Sequence, residues 1–350
     1  MSDGPSYASA GVDIEAGDRA VELIARQAHR TNRPEVLTKL GGFAGAFAAA
    51  FEGVEDPVLL SATDGVGTKL AIAQTLDRHD TVGIDLVAMI VDDIVCHGAE
   101  PLFLLDYIAC GSLVPERIEA IVRGIADGCV QAGCALLGGE TAEHPGVMEP
   151  DIYDLAAFGV GIAERADMWG PERVKEGDVV IGLASSGLHS NGYSLVRRLI
   201  LEHDLDLTTP RDELGGDSLG EDLLEPTIIY APALLALKRE EDIEVHAAAH
   251  ITGGGIAGNV ARVLPQGLEA RLDPARWSVP EIFAFLQRTG GIAPAEMEKA
   301  FNLGLGMTMF CSEVDAEPAL QALGERGLVA SPVGTVHRGD RGVVLEERST

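Results

Sequence analysis

Apolar residues recur every three or four positions in EAGDRAVELIARQAHR, residues 15–30, which predicts an amphipathic helix with Asp13 as a candidate cap. The following GGFAGAFAAAF reads equally as a strand or as a tightly packed helix. PVLLSAT (57–63) is a short β-leaning run that ends at Asp64. Residues 80–97 are apolar enough for a buried helix, with Gly98 as its stop. PLFLLDYIACG (101–111) reads as a strand, and residues 115–132 as a helix between Pro115 and Gly133. CALLGGET (134–141) is a strand running into a glycine turn, and LAAFGVGIAE (155–164) is another strand.

The pattern breaks at RADMWGPERVKEGD, residues 165–178, which is polar and holds Pro171. A domain boundary is expected here, dividing 1–170 from 171–345. VVIGLAS (179–185) is a buried strand that enters SSGLHSNG and then the helix YSLVRRLILEH. Residues 208–226 are acidic and contain Gly and Pro, which predicts a surface loop. Helices are expected near 230–240, 280–289 and 315–326, and at the glycine-opened TGGGIAGNVARVL. Strands are expected at 245–251, 303–311, and near 333 and 343. Both halves mix strands and helices, so the fold class is α+β.

The length of 350 residues agrees with two domains. Against 26 basic residues stand 55 acidic ones, a formal charge of -29. Nucleic acid and anionic membrane surfaces both demand a basic face, so neither is expected as a partner. Anionic substrates would have to meet local cations or Mg2+. The five cysteines include no C-x-x-C pair, which points to reduced thiols in the cytoplasm rather than a disulfide frame or zinc site. The N-terminus has no apolar signal region, and no run of eighteen apolar residues occurs.

Five stretches carry candidate chemistry. In DGVGTK, Gly65 and Gly67 free backbone N–H groups for an anion nest. Lys69 offers a point charge, and Asp64 an oxygen ligand for Mg2+. A strand-to-helix turn with solvated charges explains the same six residues. DLVAMIVDDIVCHG, if helical, brings Asp85 and Asp92 to nearly one face with Asp93 beside it. Acids on so apolar a helix are costly unless paired or metal-bound. GGETAEHPG presents Glu140 after Gly138 and Gly139. Asp64, Asp93 and Glu140 together form a candidate Mg2+ set. SSGLHSNG supplies Ser186, Ser190, Asn191 and His189 ahead of a helix N-terminus, as an anion site or a capping loop. TGGGIAGN has the same two readings. The serine elbow G-x-S-x-G, H-E-x-x-H, and a Rossmann G-x-G-x-x-G with its downstream acid are absent.

In order, AGVDIEAGD, RPEVL, LGGFAG, TDGVGTKL, HDTVGIDLVAM, GAEPLFLLDY, GGETAE, SSGLHSNGYSLVR, HITGGGIAGN, RVLP and FNLGLGM closely resemble the phosphoribosylformylglycinamidine cyclo-ligase (AIR synthetase) family. The resemblance runs from about residue 7 to about residue 340. It implies a two-domain subunit of the AIR synthetase-like superfamily, with the first sheet pairing across a homodimer into a β-barrel and ATP bound near that interface. It also implies ATP-dependent closure of formylglycinamidine ribonucleotide to aminoimidazole ribonucleotide in purine biosynthesis, with Mg2+ and, as a further candidate, K+. On this basis Asp64, Gly65, Gly67, Thr68, Lys69, Gly138 and Gly139 are expected around ATP. Asp64, Asp93 and Glu140 are expected on the metal. Gly41, Gly42, Ser186, His189, Ser190 and Asn191 are expected on the substrate, with Lys69 and His189 as catalytic candidates. Asp92, His97 and His144 depart from the family pattern and are left without a role. Thiamine monophosphate kinase, selenophosphate synthetase and formylglycinamidine ribonucleotide synthetase are rival readings on the same superfamily. A catalytically silent nucleotide-binding protein is a rival of another class.

Overall fold

The computed structural model describes residues 14–40, 42, 44–340 and 342–346. Asp13 and Gly41 lie outside the described residues. The first half holds α1 (Ile14–His29), β1 (Pro57–Gly65), α2 (Leu70–Leu76), α3 (Val82–Val95), β2 (Glu100–Cys110), α4 (Pro115–Ala132), β3 (Ala135–Glu143) and β4 (Tyr153–Glu164). The four strands form one sheet in the order β1-β4-β2-β3. β4 runs antiparallel to both neighbours, while β2 and β3 are parallel and joined through α4. Helix α3 packs on one sheet face, with α4 against α3 and α1 against α4.

Strand alternation sorts this sheet into two faces. Leu60 and Ala62 turn toward the helices and pack on the core. Leu59, Leu105, Tyr107 and Phe158 turn the other way and are 36–65% exposed. Segment 44–51 is neither strand nor helix. It carries one isolated bridge, between Val36 and Phe47, and the Phe47 ring lies 5.2 Å from that of Phe103.

The second half holds β5 (Val179–Ala184), α5 (Tyr193–Glu202), α6 (Leu219–Leu224), α7 (Ala231–Glu241), β6 (Val245–His250), α8 (Gly255–Val260), β7 (Leu268–Leu272), α9 (Glu281–Gly290), α10 (Pro294–Ala300), β8 (Leu305–Cys311), α11 (Glu313–Glu325), β9 (Ala330–Arg338) and β10 (Gly342–Leu345). Its sheet has the order β10-β7-β9-β5-β8-β6 and is antiparallel except for β10 on β7. Every residue of β6 and β8 is buried.

The expected surface loop at 208–226 is corrected. Ser218 caps α6 through a capping box with Glu221, and Leu219, Leu223 and Leu224 are buried. Acidic residues between these leucines hid the apolar face of so short a helix. Among the described residues no helix is long and apolar enough to cross a membrane.

Candidate active site

Residues 64–69 sit where the two halves meet. Asp64 is the last residue but one of β1, half-buried, and its Oδ1 accepts the N–H of Gly65 at 2.7 Å. Burial raises its pKa, and the nearby charge of Asp93 adds to the rise. The chain then turns through Gly67 at φ 69°. The Thr68 hydroxyl reaches the Ser194 hydroxyl on α5 at 3.2 Å. The expected phosphate loop therefore touches the helix that follows SSGLHSNG.

Lys69 requires a correction. Its side chain is wholly buried, and its Nζ lies 3.0 and 2.9 Å from the two Asp85 oxygens. It also donates to the carbonyls of His189 at 3.1 Å and Glu225 at 2.7 Å. An ammonium has three protons, and all three have acceptors here. Burial lowers its pKa, with Asp85 opposing the fall. In this structure Lys69 is a strut inside the protein, not a charge waiting for phosphate.

The acids of α3 divide in the same way. Asp85 is buried, and its Oδ1 also accepts the N–H and hydroxyl of Thr227, at 2.8 and 2.7 Å. Asp92 is buried too and accepts the N–H groups of Tyr230 and Ala231, both at 2.9 Å, at the start of α7. Burial pushes its carboxyl up to about 7. Only Asp93 keeps an open side chain, 45% exposed, and it meets Nδ1 of His250 at 3.0 Å. Burial depresses the pKa of His250, but Asp93, Asp92 and Asp64 outweigh it and leave it raised. Asp85 and Asp92 thus bind the second half to the first, and Asp93 alone of the three acids keeps an open side chain.

Glu140 does not join Asp64 and Asp93. It lies on β3, paired with Tyr107, while Asp64 lies on β1 at the opposite edge. Three strand spacings separate them, about 14 Å. They also occupy alternate rows: Asp64 shares Ala157 with Asp106 and Gly139, one step from the row of Gly65, Ala156, Tyr107 and Glu140. Glu140 therefore faces the bare side of the sheet. Among the described residues no three His, Cys, Asp or Glu side chains gather as a metal site. The expected trio is not assembled within one chain. Gly138 and Gly139 share the far edge with Glu140. Gly139 leaves room for the Asp106 carboxylate, which a Cβ would meet at 1.6 Å.

The 185–192 loop is stapled from several sides. His189 adopts φ 60°, rare for a residue with a Cβ. Its Nε2 accepts the N–H of Ser186 at 3.1 Å, while its Nδ1 is buried without a partner among the described residues. Burial, with His250 and Lys69 nearby, holds its pKa well below the usual value, so the ring is neutral. Accepting at Nε2 makes Nδ1 the protonated nitrogen. Gly306 allows this crowding, since a Cβ there would fall 2.5 Å from the His189 ring and 2.0 Å from the Tyr230 hydroxyl. Ser186 donates to the Pro226 carbonyl at 2.6 Å, and Ser190 contacts the Thr227 hydroxyl at 3.2 Å. Asn191 accepts the Gly253 N–H at 3.0 Å, and its own buried amide nitrogen has no partner among the described residues. A Cβ at Gly42 would meet the Ala44 and Lys39 carbonyls at 3.7 and 3.9 Å.

Asp85, Thr227 and His250 were given no role from sequence. A histidine in the buried run VHAAAH was the signal for His250. Asp85 stands in a row of acids, and spacing alone does not tell strut from ligand. Of the residues left aside, His144 pairs with the Tyr107 hydroxyl at 3.1 Å, and His97 is exposed.

A four-stranded sheet and a six-stranded sheet, joined by a polar linker and meeting at two loops, match two family models. Residues 45–163 match the AIR synthase related protein N-terminal domain, and residues 175–346 its C-terminal domain. Solved structures share the fold: thiamine-monophosphate kinase from Stenotrophomonas maltophilia, at TM-score 0.67 and 19% identity over 94% of this chain and 96% of that one. Another is hydrogenase maturation protein HypE in complex with ATP, at TM-score 0.62 and 20% identity over 91% of this chain and 88% of that one. Among curated relatives, the phosphoribosylformylglycinamidine cyclo-ligase of Geobacillus kaustophilus is 52% identical over 95% of this chain and 96% of its own length. That of Anaeromyxobacter dehalogenans is 53% identical over 96% and 97%. The chain belongs to the phosphoribosylformylglycinamidine cyclo-ligase family.

Proposed function

We propose that this chain converts formylglycinamidine ribonucleotide and ATP to 5-aminoimidazole ribonucleotide, ADP and phosphate. Half-identity with named cyclo-ligases across nearly the whole chain carries this reading. The formamide oxygen of the substrate is a poor leaving group. Transfer of the γ-phosphoryl group to it gives an imidate-like phosphate. The amidine nitrogen attacks the same carbon and loses a proton. The C–O bond breaks, and its electron pair leaves with phosphate. Such a reaction asks the protein mainly for positioning and charge compensation.

The parts divide between the two loops. Gly65, Gly67 and Thr68 take the nucleotide side, where the turn lets backbone approach a phosphate closely. Ser186, Ser190 and Asn191 take the ribonucleotide side, next to it through Thr68 and Ser194. His189 holds this loop from inside, as a neutral ring whose Nε2 accepts the Ser186 N–H. Asp64 and Asp93 fit Mg2+: both offer hard oxygen ligands, and a cation would relieve the raised pKa of Asp64. His250 fixes the Asp93 carboxylate. Mg2+ supplies compensation of phosphate charge; K+ remains a candidate.

The bare face of the first sheet, with Leu59, Leu105, Tyr107 and Phe158, supports a homodimer closed into a barrel. Glu140, Gly138 and Gly139 reach the nucleotide only if a second copy sets its β3 edge against this β1 edge. Residues 1–170 then form the ATP-binding and dimerisation domain, and 171–345 the second. Free cysteines among the described residues support a cytoplasmic setting.

The test is turnover by the purified chain with ATP, Mg2+ and K+. Aminoimidazole product, read by colour, and ADP should both require formylglycinamidine ribonucleotide. Thiamine monophosphate should give no ADP. A folded preparation that yields no aminoimidazole product overturns the assignment.

A further inference from the structure

We infer that Lys69 is a positioning residue, a buried hub that fixes the 186–191 loop to the 64–68 turn and so sets ribonucleotide affinity without touching phosphate. Its three donors are spent on Asp85, the His189 carbonyl and the Glu225 carbonyl. The His189 carbonyl belongs to a left-handed residue, a conformation that persists where surroundings over-determine it. Lys69 holds that residue by its backbone, and the Ser186 N–H holds it by its ring. Asp85 extends the hub through Thr227, whose hydroxyl reaches Ser190. One residue before Lys69, Thr68 contacts Ser194. A displacement of the turn thus has covalent and hydrogen-bonded routes into both ends of the loop.

This inference rests on the cyclo-ligase reading, and its test separates the two. Three variants are compared with wild type: Lys69→Met, Asp85→Asn and the double variant. Each single variant leaves a buried charge without its partner and lowers the melting temperature. The double variant removes both charges, keeps an acceptor for Thr227, and melts closer to wild type than either single variant. Its KM for formylglycinamidine ribonucleotide should nevertheless be about tenfold higher, the loss of a charge-assisted bond, with KM for ATP within about twofold.

A scaffold-only role predicts that the ribonucleotide KM recovers along with stability, and that result overturns the inference. A rise in KM for ATP with the ribonucleotide KM unchanged also overturns it, because Lys69 would then act on phosphate. Amide hydrogen exchange gives a readout independent of turnover. Residues 186–191 should lose protection in the double variant while strand 179–184 keeps it. Unchanged protection at 186–191 overturns the inference, even if wild type lacks cyclo-ligase activity.

Discussion

The two sheets of this molecule solve the same packing problem differently. In the six-stranded sheet, β6 and β8 are buried at every position. In the four-stranded sheet, β1 alternates between half-buried and exposed along its length, and apolar side chains stand in the open. Those two strands are covered within one chain. The open sheet presents an apolar surface of the kind that marks an interaction site. The same asymmetry runs through the chemistry: Lys69 and Asp85 have their partners at hand, while Glu140 faces the bare side.

The largest effect should come from placing a charge in each sheet. Met309 is wholly buried in β8. Met309→Asp should cost about 4–5 kcal/mol in chemical denaturation, since the carboxylate would have no water and no partner. Phe158 sits on the bare face, 43% exposed. Phe158→Asp should cost the isolated chain less than about 1.5 kcal/mol. Its effect should appear in sedimentation instead, as a dimer turned into a folded monomer. A wild-type monomer, or a Phe158→Asp dimer, would remove the barrel from the proposed function.

Asp106 lies on the helix side of the open sheet, and burial pushes its carboxyl up to about 7. A raised acid pKa means that the stability contribution is present below the unfolded value near 4 and is lost as pH rises through 7. Asp106→Asn should therefore melt higher than wild type at pH 8, and the gap should shrink at pH 5. Three pKa units set a ceiling of about 4 kcal/mol. Asp106 keeps partial contact with solvent, and screening there reduces the expected gap to about 1–2 kcal/mol. An equal gap at both pH values would show that Asp106 titrates like a surface acid.

Sequence reasoning served the two sheets unequally as well. Helix α4 was bounded correctly by Pro115 and Gly133, whose chemistry is local. Strands β1 and β4 were legible from short apolar runs. β7 was missed because LEARL has little apolar signal and is set by its neighbours β9 and β10. The site was harder to read. Asp64, Thr68 and the SSGLHSNG loop do lie side by side, yet nothing in DGVGTK distinguishes a lysine facing solvent from one sealed against Asp85. That distinction depends on a residue sixteen positions away and on carbonyls in the other half. Helical spacing placed three acids on α3 near one another. It held no information on which would find N–H groups of α7 and which would stay open.

The smallest expected effect concerns α6, the helix mistaken for a loop. It ties the two regions together: a Cβ at Gly220 would meet the Leu76 side chain of α2 at 2.6 Å. Its six residues are too few to hold a helix by propensity alone. Packing of Leu219, Leu223 and Leu224, with the Ser218–Glu221 capping box, must do so. Ser218→Ala removes the acceptor for the Glu221 N–H and should cost about 1 kcal/mol. If α6 joins the halves, that loss should also appear as faster amide exchange in α2, on the other side of the contact. A stability loss with α2 exchange unchanged would make α6 an appendage of the second sheet only, and would leave the α3 acids and Lys69 as the ties between the halves.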